Sequence, residues 1–169
     1  ISVEGHSRRY NKHDIDNIKE WFNPEADIFI NNAYNDYKWW AQTQALLFVF
    51  HLWKDDPNKH IISVSSIASE KDTDDYPIGH SRYTAGKISL DKINKECYEK
   101  TAKHNGCHVS LLRPGWVETP RTTRLSSLVN RLYDADLDPK MLSPEQCVEC
   151  IDFMLNFDGR VRELTVEAK

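Results

Sequence analysis

Short apolar runs alternate along this chain with longer stretches of helical period, and turn residues separate the two. Residues 26–30 (ADIFI) lie between Pro24 and Asn31-Asn32, and His60–Val64 (HIISV) follows a turn at residues 55–58 (DDPN); both read as buried strands. Residues 108–112 read the same way and are closed by Arg113-Pro114-Gly115. Glu163–Val166 (ELTV) is the expected last strand, and residues 2–6 (SVEGH) are a weaker first one. Between them, residues 14–22 place Ile15, Ile18 and Phe22 at helical spacing until Asn23-Pro24 stops the helix. Residues 37–53 are predicted as a helix rich in aromatic mass, and residues 82–103 as a long amphipathic helix ended by Asn105-Gly106. Ser143 is an N-cap with Pro144 at the first helical position, opening a helix to about Phe157. Residues 119–137 are expected to be a loop with one short helix, and residues 70–75 (EKDTDD) an acidic loop.

Strands alternating with helices point to an α/β fold: a parallel sheet covered on both faces, in one domain over residues 1–169. Ligands of such sheets bind beyond the carboxyl ends of the strands. Asn31-Asn32-Ala33, Ser65-Ser66 and Pro114-Gly115 all fall just past predicted strand ends, so the polar motifs converge on that edge.

The composition changes this picture little. Forty per cent hydrophobic and 28% charged residues suit a folded globular chain, and a net charge of −4 gives no case for nucleic acid or an anionic membrane. The longest apolar run, residues 45–50, is too short to span a bilayer, and the polar opening residues lead us to expect no signal peptide. Cys147 and Cys150 form a C-x2-C, but at i and i+3 of a helix they are expected on its buried face, as thiols rather than metal ligands. Neither the cysteines nor the histidines show the spacing of a metal site, and the thiols suggest a reducing, cytoplasmic setting.

Tyr83 and Lys87 stand four apart on the long predicted helix, on one face. A phenol with a pKa of about 10 is a poor acid at neutral pH, and a neighbouring ammonium favours its ionised form. Tyr83 is therefore a candidate acid-base, with Ser66 placed to hydrogen-bond the same substrate oxygen. The spacing is cheap on its own, since Tyr34 and Lys38 repeat it. The strand-end serines upstream and the Pro-Gly downstream select the Tyr83 copy.

Together DIFINNA (27–33), ISVSSIAS (62–69), YTAGK (83–87) and RPGWVET (113–119) resemble, in order, four motifs of the short-chain dehydrogenase/reductase superfamily. These are its N-N-A-G strand, its serine strand, its Y-x3-K helix and its P-G-x-x-x-T turn. The resemblance runs from about Ser2 to Val166 and implies a Rossmann-like three-layer αβα domain. It implies an oxidoreductase that interconverts a small-molecule carbonyl and alcohol with NADP, or NAD. Tyr83 would be the acid-base, Lys87 would bind the nicotinamide ribose, and Ser66 would orient the substrate. Asn32 and Ala33 would pass along the cofactor, with Asn31 bracing neighbouring backbone. Pro114, Gly115 and Val117 would flank the nicotinamide, and Thr119 would bond its carboxamide. Arg8 and Arg9, after the first strand, resemble the basic pair that receives the 2′-phosphate of NADP, and Asp14 the acidic turn at the adenine. The resemblance also implies a homodimer or homotetramer built through two long helices.

The chain departs from that pattern in several places. The first strand and its G-x3-G-x-G turn are missing, and the chain opens on Ile1, so the fold is expected to be N-terminally truncated. Tyr34 replaces the glycine of N-N-A-G, and Gln42 or Gln44 is nearest to the family's helix asparagine. Residues 119–137 fall where the family carries its substrate lid, with Arg121, Arg124 and Arg131 more simply read as a solvated face. Two other readings remain: a degenerate nucleotide-binding or scaffold domain without turnover, and a sugar-nucleotide epimerase or dehydratase of the extended branch.

Overall fold

Four of the apolar runs pair into one sheet. In the computed structural model they are β1 (Ile28–Asn31), β2 (His60–Val64), β3 (His108–Pro114) and β4 (Glu163–Val166). The structure describes residue 18 and residues 22–32, 38–70, 81–133 and 140–169. The strands lie in the order β1-β2-β3-β4 and every pairing is parallel. Phe29 stands beside Ile61, Ile61 beside Val109, and Leu112 beside Leu164. The helices between them are α1 (Ala41–Trp53), α2 (Ser81–His104), α3 (Pro120–Tyr133) and α4 (Pro144–Asn156), and a 3-10 turn at Ile67–Ser69 follows β2.

Successive strand residues face opposite sides, and each side has its own core. Ile61 and Val109 pack with Leu46, Val49 and Trp53 of α1 and Leu90 of α2. Their neighbours Ile62 and Leu112 pack with Met154, Cys150 and Leu155 of α4. The result is three layers, αβα. Each of the three crossovers advances the sheet in the same direction, yet the α4 crossover runs over the face opposite to α1 and α2. It is therefore opposite in hand to the two before it.

Two close approaches set the helices on the sheet. A Cβ on Gly86 would lie 2.6 Å from the backbone oxygen of Trp39, so only glycine lets α2 come this close to the entry of α1. A Cβ on Gly106 would lie 1.9 Å from the Lys54 oxygen, where the end of α2 passes the end of α1. The left-handed residue that stops α2 is Asn105 (φ 51°), one before that glycine.

Three expectations change. Residues 119–137 are not mainly loop: α3 runs Pro120–Tyr133, capped where Thr122 N–H donates to Thr119 Oγ1 at 3.2 Å. The helix predicted at residues 37–53 begins at Ala41, after a turn at Trp39-Trp40. Cys147 and Cys150 are half-buried rather than buried; α4 turns Met154 to the core and leaves Val148 and Phe153 exposed. Of the tryptophans, Trp53 is core and donates from its indole to Pro24 O at 3.2 Å, whereas Trp40 is exposed.

Candidate active site

The carboxyl ends of β1 and β2 meet the first turns of α1 and α2 at one buried point, Lys87. Its ammonium donates to Gln42 Oε1 at 2.7 Å and to the Val64 carbonyl at 2.8 Å. Gln42 is itself held: its Nε2 donates to Asn31 O at 2.8 Å and Val64 O at 3.1 Å, while Asn31 Nδ2 returns a bond to Gln42 O at 2.8 Å. The side chain of Asn31 thus braces backbone, and the last residues of two strands are stitched to the start of α1. Only 4% of Lys87 is exposed, and burial pulls its pKa down to about 8 against an opposing pull from Asp91.

Tyr83 lies one turn before Lys87 and is half-buried, with the ammonium 5.5 Å from the centre of its ring. A cation at this range is drawn to the ring as well as to the phenol oxygen. Ser66 follows β2 and caps the 3-10 turn, its Oγ accepting from Ala68 N at 3.2 Å. That bond uses an acceptor lone pair, which leaves the hydroxyl proton to donate elsewhere. Its neighbour Ser65 is buried and donates from Oγ to Asp91, so it is the inward member of the pair.

The other named residues divide by strand. Asn32 is exposed just past β1. Pro114 ends β3 in a buried position, and Gly115 N donates to Val166 O at 2.7 Å, which ties this turn to β4. Val117 pairs with Leu142, and the bonds Glu118 N to Leu142 O (2.8 Å) and Leu142 N to Trp116 O (2.7 Å) flank the pair. The Thr119 hydroxyl is engaged with Thr122, at 3.0 Å between the two oxygens, so its first duty here is to start α3. Arg8, Arg9, Asp14 and Ala33 lie outside the described residues.

An open groove of about 590 Å³ is lined by Glu118, Thr119, Thr123, Arg124, Ser143 and Glu145, and by none of Tyr83, Lys87 and Ser66. It opens beside the segment that leaves β3. Among the described residues no cluster of His, Cys, Asp or Glu could hold a metal, and no helix is long and apolar enough to cross a membrane.

Gln42 is the candidate-site residue that the motifs leave undecided. It sits at i−4 from Leu46, i−7 from Val49 and i−11 from Trp53, all core residues, so the helical phase turns it inward and Gln44 outward. That phase was the available signal.

The arrangement of parallel strands and flanking helices recurs in solved structures. L-Sorbose reductase from Gluconobacter frateurii, complexed with NADPH and L-sorbose, aligns with a TM-score of 0.64 at 19% identity, over 91% of this chain and 69% of its own. A 4-hydroxyisoleucine dehydrogenase complexed with NADH and succinate aligns at 0.65 and 18%, over 94% and 75%. A Serratia marcescens short-chain dehydrogenase/reductase variant aligns at 0.65 and 14%, over 91% and 69%. The fold is that of the short-chain dehydrogenases/reductases. This chain spans about two thirds to three quarters of the length of these solved chains. No protein-family model matches the sequence, and no curated relative matches it.

The strand ends suit the ribose and nicotinamide end of a dinucleotide. Lys87 brings a donor for hydroxyls, and Asn31 Oδ1 is a buried acceptor with no hydrogen-bond partner. Asn32 adds a further amide at the exposed rim.

Proposed function

We propose that this chain carries the catalytic residues of an NAD(P)-dependent oxidoreductase that interconverts a carbonyl and an alcohol on a small molecule. The observation that carries the reading is the Tyr83–Lys87 pair on one face of α2, with Lys87 pinned at the strand ends by Gln42 and Val64. When bound, a nicotinamide dinucleotide supplies or accepts the hydride. The chain's own work is proton transfer and orientation. Tyr83 gives its phenolic proton to the carbonyl oxygen in reduction and takes it back in oxidation. Lys87 holds positive charge beneath that phenol, which favours release of the proton, and offers donors to ribose hydroxyls. Ser66 donates its hydroxyl proton to the substrate oxygen and fixes it opposite Tyr83. The Thr119 groove gives the substrate its side of the site. Arg8 and Arg9 favour NADP through paired guanidinium donors to its 2′-phosphate. NADPH in one solved neighbour and NADH in another are compatible with either cofactor.

The test titrates the chain with NADPH and with NADH, then screens carbonyl compounds for cofactor oxidation with Tyr83→Phe as the control. Saturable binding and turnover that Tyr83→Phe abolishes, with folding retained, are expected. Turnover that survives in Tyr83→Phe would falsify this mechanism.

A further inference from the structure

Tyr83, Lys87 and Asp91 follow one another at four-residue steps, so α2 presents all three along one face. The first two are explained by the reading above; the third is not. Asp91 is 13% exposed in its side chain, and both carboxylate oxygens are engaged. Oδ1 accepts from Ser65 Oγ, the residue before Ser66. Oδ2 accepts from Ser69 Oγ at 2.6 Å and from Arg113 Nε at 2.7 Å. Ser69 also donates to the Ser66 carbonyl at 2.7 Å, although one hydroxyl proton can serve only one of these acceptors at a time. Arg113, 12% exposed, is the residue before Pro114-Gly115 and reaches Glu70 at 3.1 Å and Glu163 at 3.2 Å. One carboxylate therefore joins the turn that presents Ser66, the helix that presents Tyr83 and Lys87, and the end of β3.

A buried carboxylate needs donors, and an ordinary core would avoid one at this depth. Two hydroxyls from the Ser66 turn and a guanidinium from β3 meet that need here, so the turn, β3 and α2 cannot slide independently. The same charge stands one helical turn from Lys87, whose ammonium also donates to two neutral acceptors, Gln42 Oε1 and the Val64 carbonyl.

We propose that Asp91 is a positioning residue that locks the Ser66 turn to the Tyr83–Lys87 face of α2 and supplies the counter-charge for the buried lysine. It rests on the oxidoreductase reading for its catalytic consequence, but not for its electrostatic one. The test compares wild type with Asp91→Asn, which keeps shape and removes charge, in protein labelled with ε-13C-lysine. The wild-type Lys87 resonance is expected to titrate near 8. In Asp91→Asn its midpoint falls by about half a unit or more. In carbonyl reduction the variant loses about tenfold to a hundredfold in kcat, as expected for a slightly misplaced catalytic group, while KM for NADPH stays put. If Asp91→Asn does not fold, Ser65→Ala with Ser69→Ala frees the turn and keeps the Arg113 pair; the same kcat loss with Lys87 titrating as in wild type is then expected. An Asp91→Asn protein with both the Lys87 midpoint and kcat unchanged overturns the proposal, as does a serine pair with unchanged kcat. A wild type that reduces no carbonyl sinks the oxidoreductase reading instead, since the lysine titration needs no substrate.

Discussion

Lys87 Nζ and Gln42 Oε1 are 2.7 Å apart, and this bond joins the first turn of α1 to the first turns of α2 across the ends of β1 and β2. A lysine this deep is tolerable only because fixed acceptors surround it. Gln42 is a fixed acceptor because its own amide nitrogen is held by Asn31 O and Val64 O.

Gln42→Leu keeps the volume and removes every one of these bonds. The expected cost is on the order of 2–3 kcal/mol, for a buried ammonium and two carbonyls left short of partners. Urea unfolding of the two proteins measures it. Burial then weighs more heavily on Lys87, whose midpoint should fall below its wild-type value of about 8. An unchanged urea midpoint would remove Gln42 from the site.

Gly86→Ala sets helix propensity against space. Alanine favours a helix interior by up to about 1 kcal/mol. Its methyl would meet the Trp39 carbonyl oxygen at 2.6 Å, and that atom is backbone, so α2 must move away from the entry of α1. Overpacking of this kind costs about 1–3 kcal/mol, and we expect it to win. Because the same movement lengthens the Lys87–Gln42 bond, NADPH affinity should fall along with the thermal midpoint. A stabilised variant would contradict the close approach.

At the opposite ends of the strands, His60 is expected to make stability fall in acid. Ser110 Oγ donates to Val161 O at 2.6 Å, so the 2.9 Å contact between His60 Nε2 and Ser110 Oγ requires the proton on Nε2. Burial, then the charges of His108 and Arg160, pull the His60 pKa from 6.5 to about 4. Between those values the unfolded chain binds a proton that the folded chain refuses. The stabilisation from a neutral His60 is complete above about pH 6.5 and is lost as pH falls toward 4. His108 is lowered too, in the same direction. Urea midpoints across this range should fall with acid in wild type and fall less steeply in His60→Gln. Parallel curves would show that His60 is not responsible.

The strands were legible because their boundaries are chemical: Pro24 and the Asp55–Asn58 turn leave little choice for β1 and β2. Helix α4 was legible from Ser143-Pro144. The same signature, Thr119-Pro120, opens α3, and Leu125, Leu128, Val129 and Leu132 follow it at i, i+3, i+4 and i+7, so this helix too was legible and the expectation of a loop overlooked its period. The crossover of opposite hand could not be read at all. A general preference for right-handed connections argues against it, and only the packing of Met154 against Ile62 and Leu112 reveals the face α4 takes. Motif order names Tyr83, Lys87 and Ser66 as the candidate site, but no motif contains Asp91. Its partners Ser65, Ser69 and Arg113 are brought to it by folding from two separate stretches, the turn after β2 and the end of β3.

The pairing of Val117 with Leu142 has a consequence for how this protein can change. Two backbone bonds close the base of the excursion that carries α3, so its departure and return points are set before its contents matter. Length and sequence within such a closed span can drift without shifting the register of β3 against β4. The scaffold and the wall of the groove are thereby separately heritable: one can be conserved while the other is rewritten.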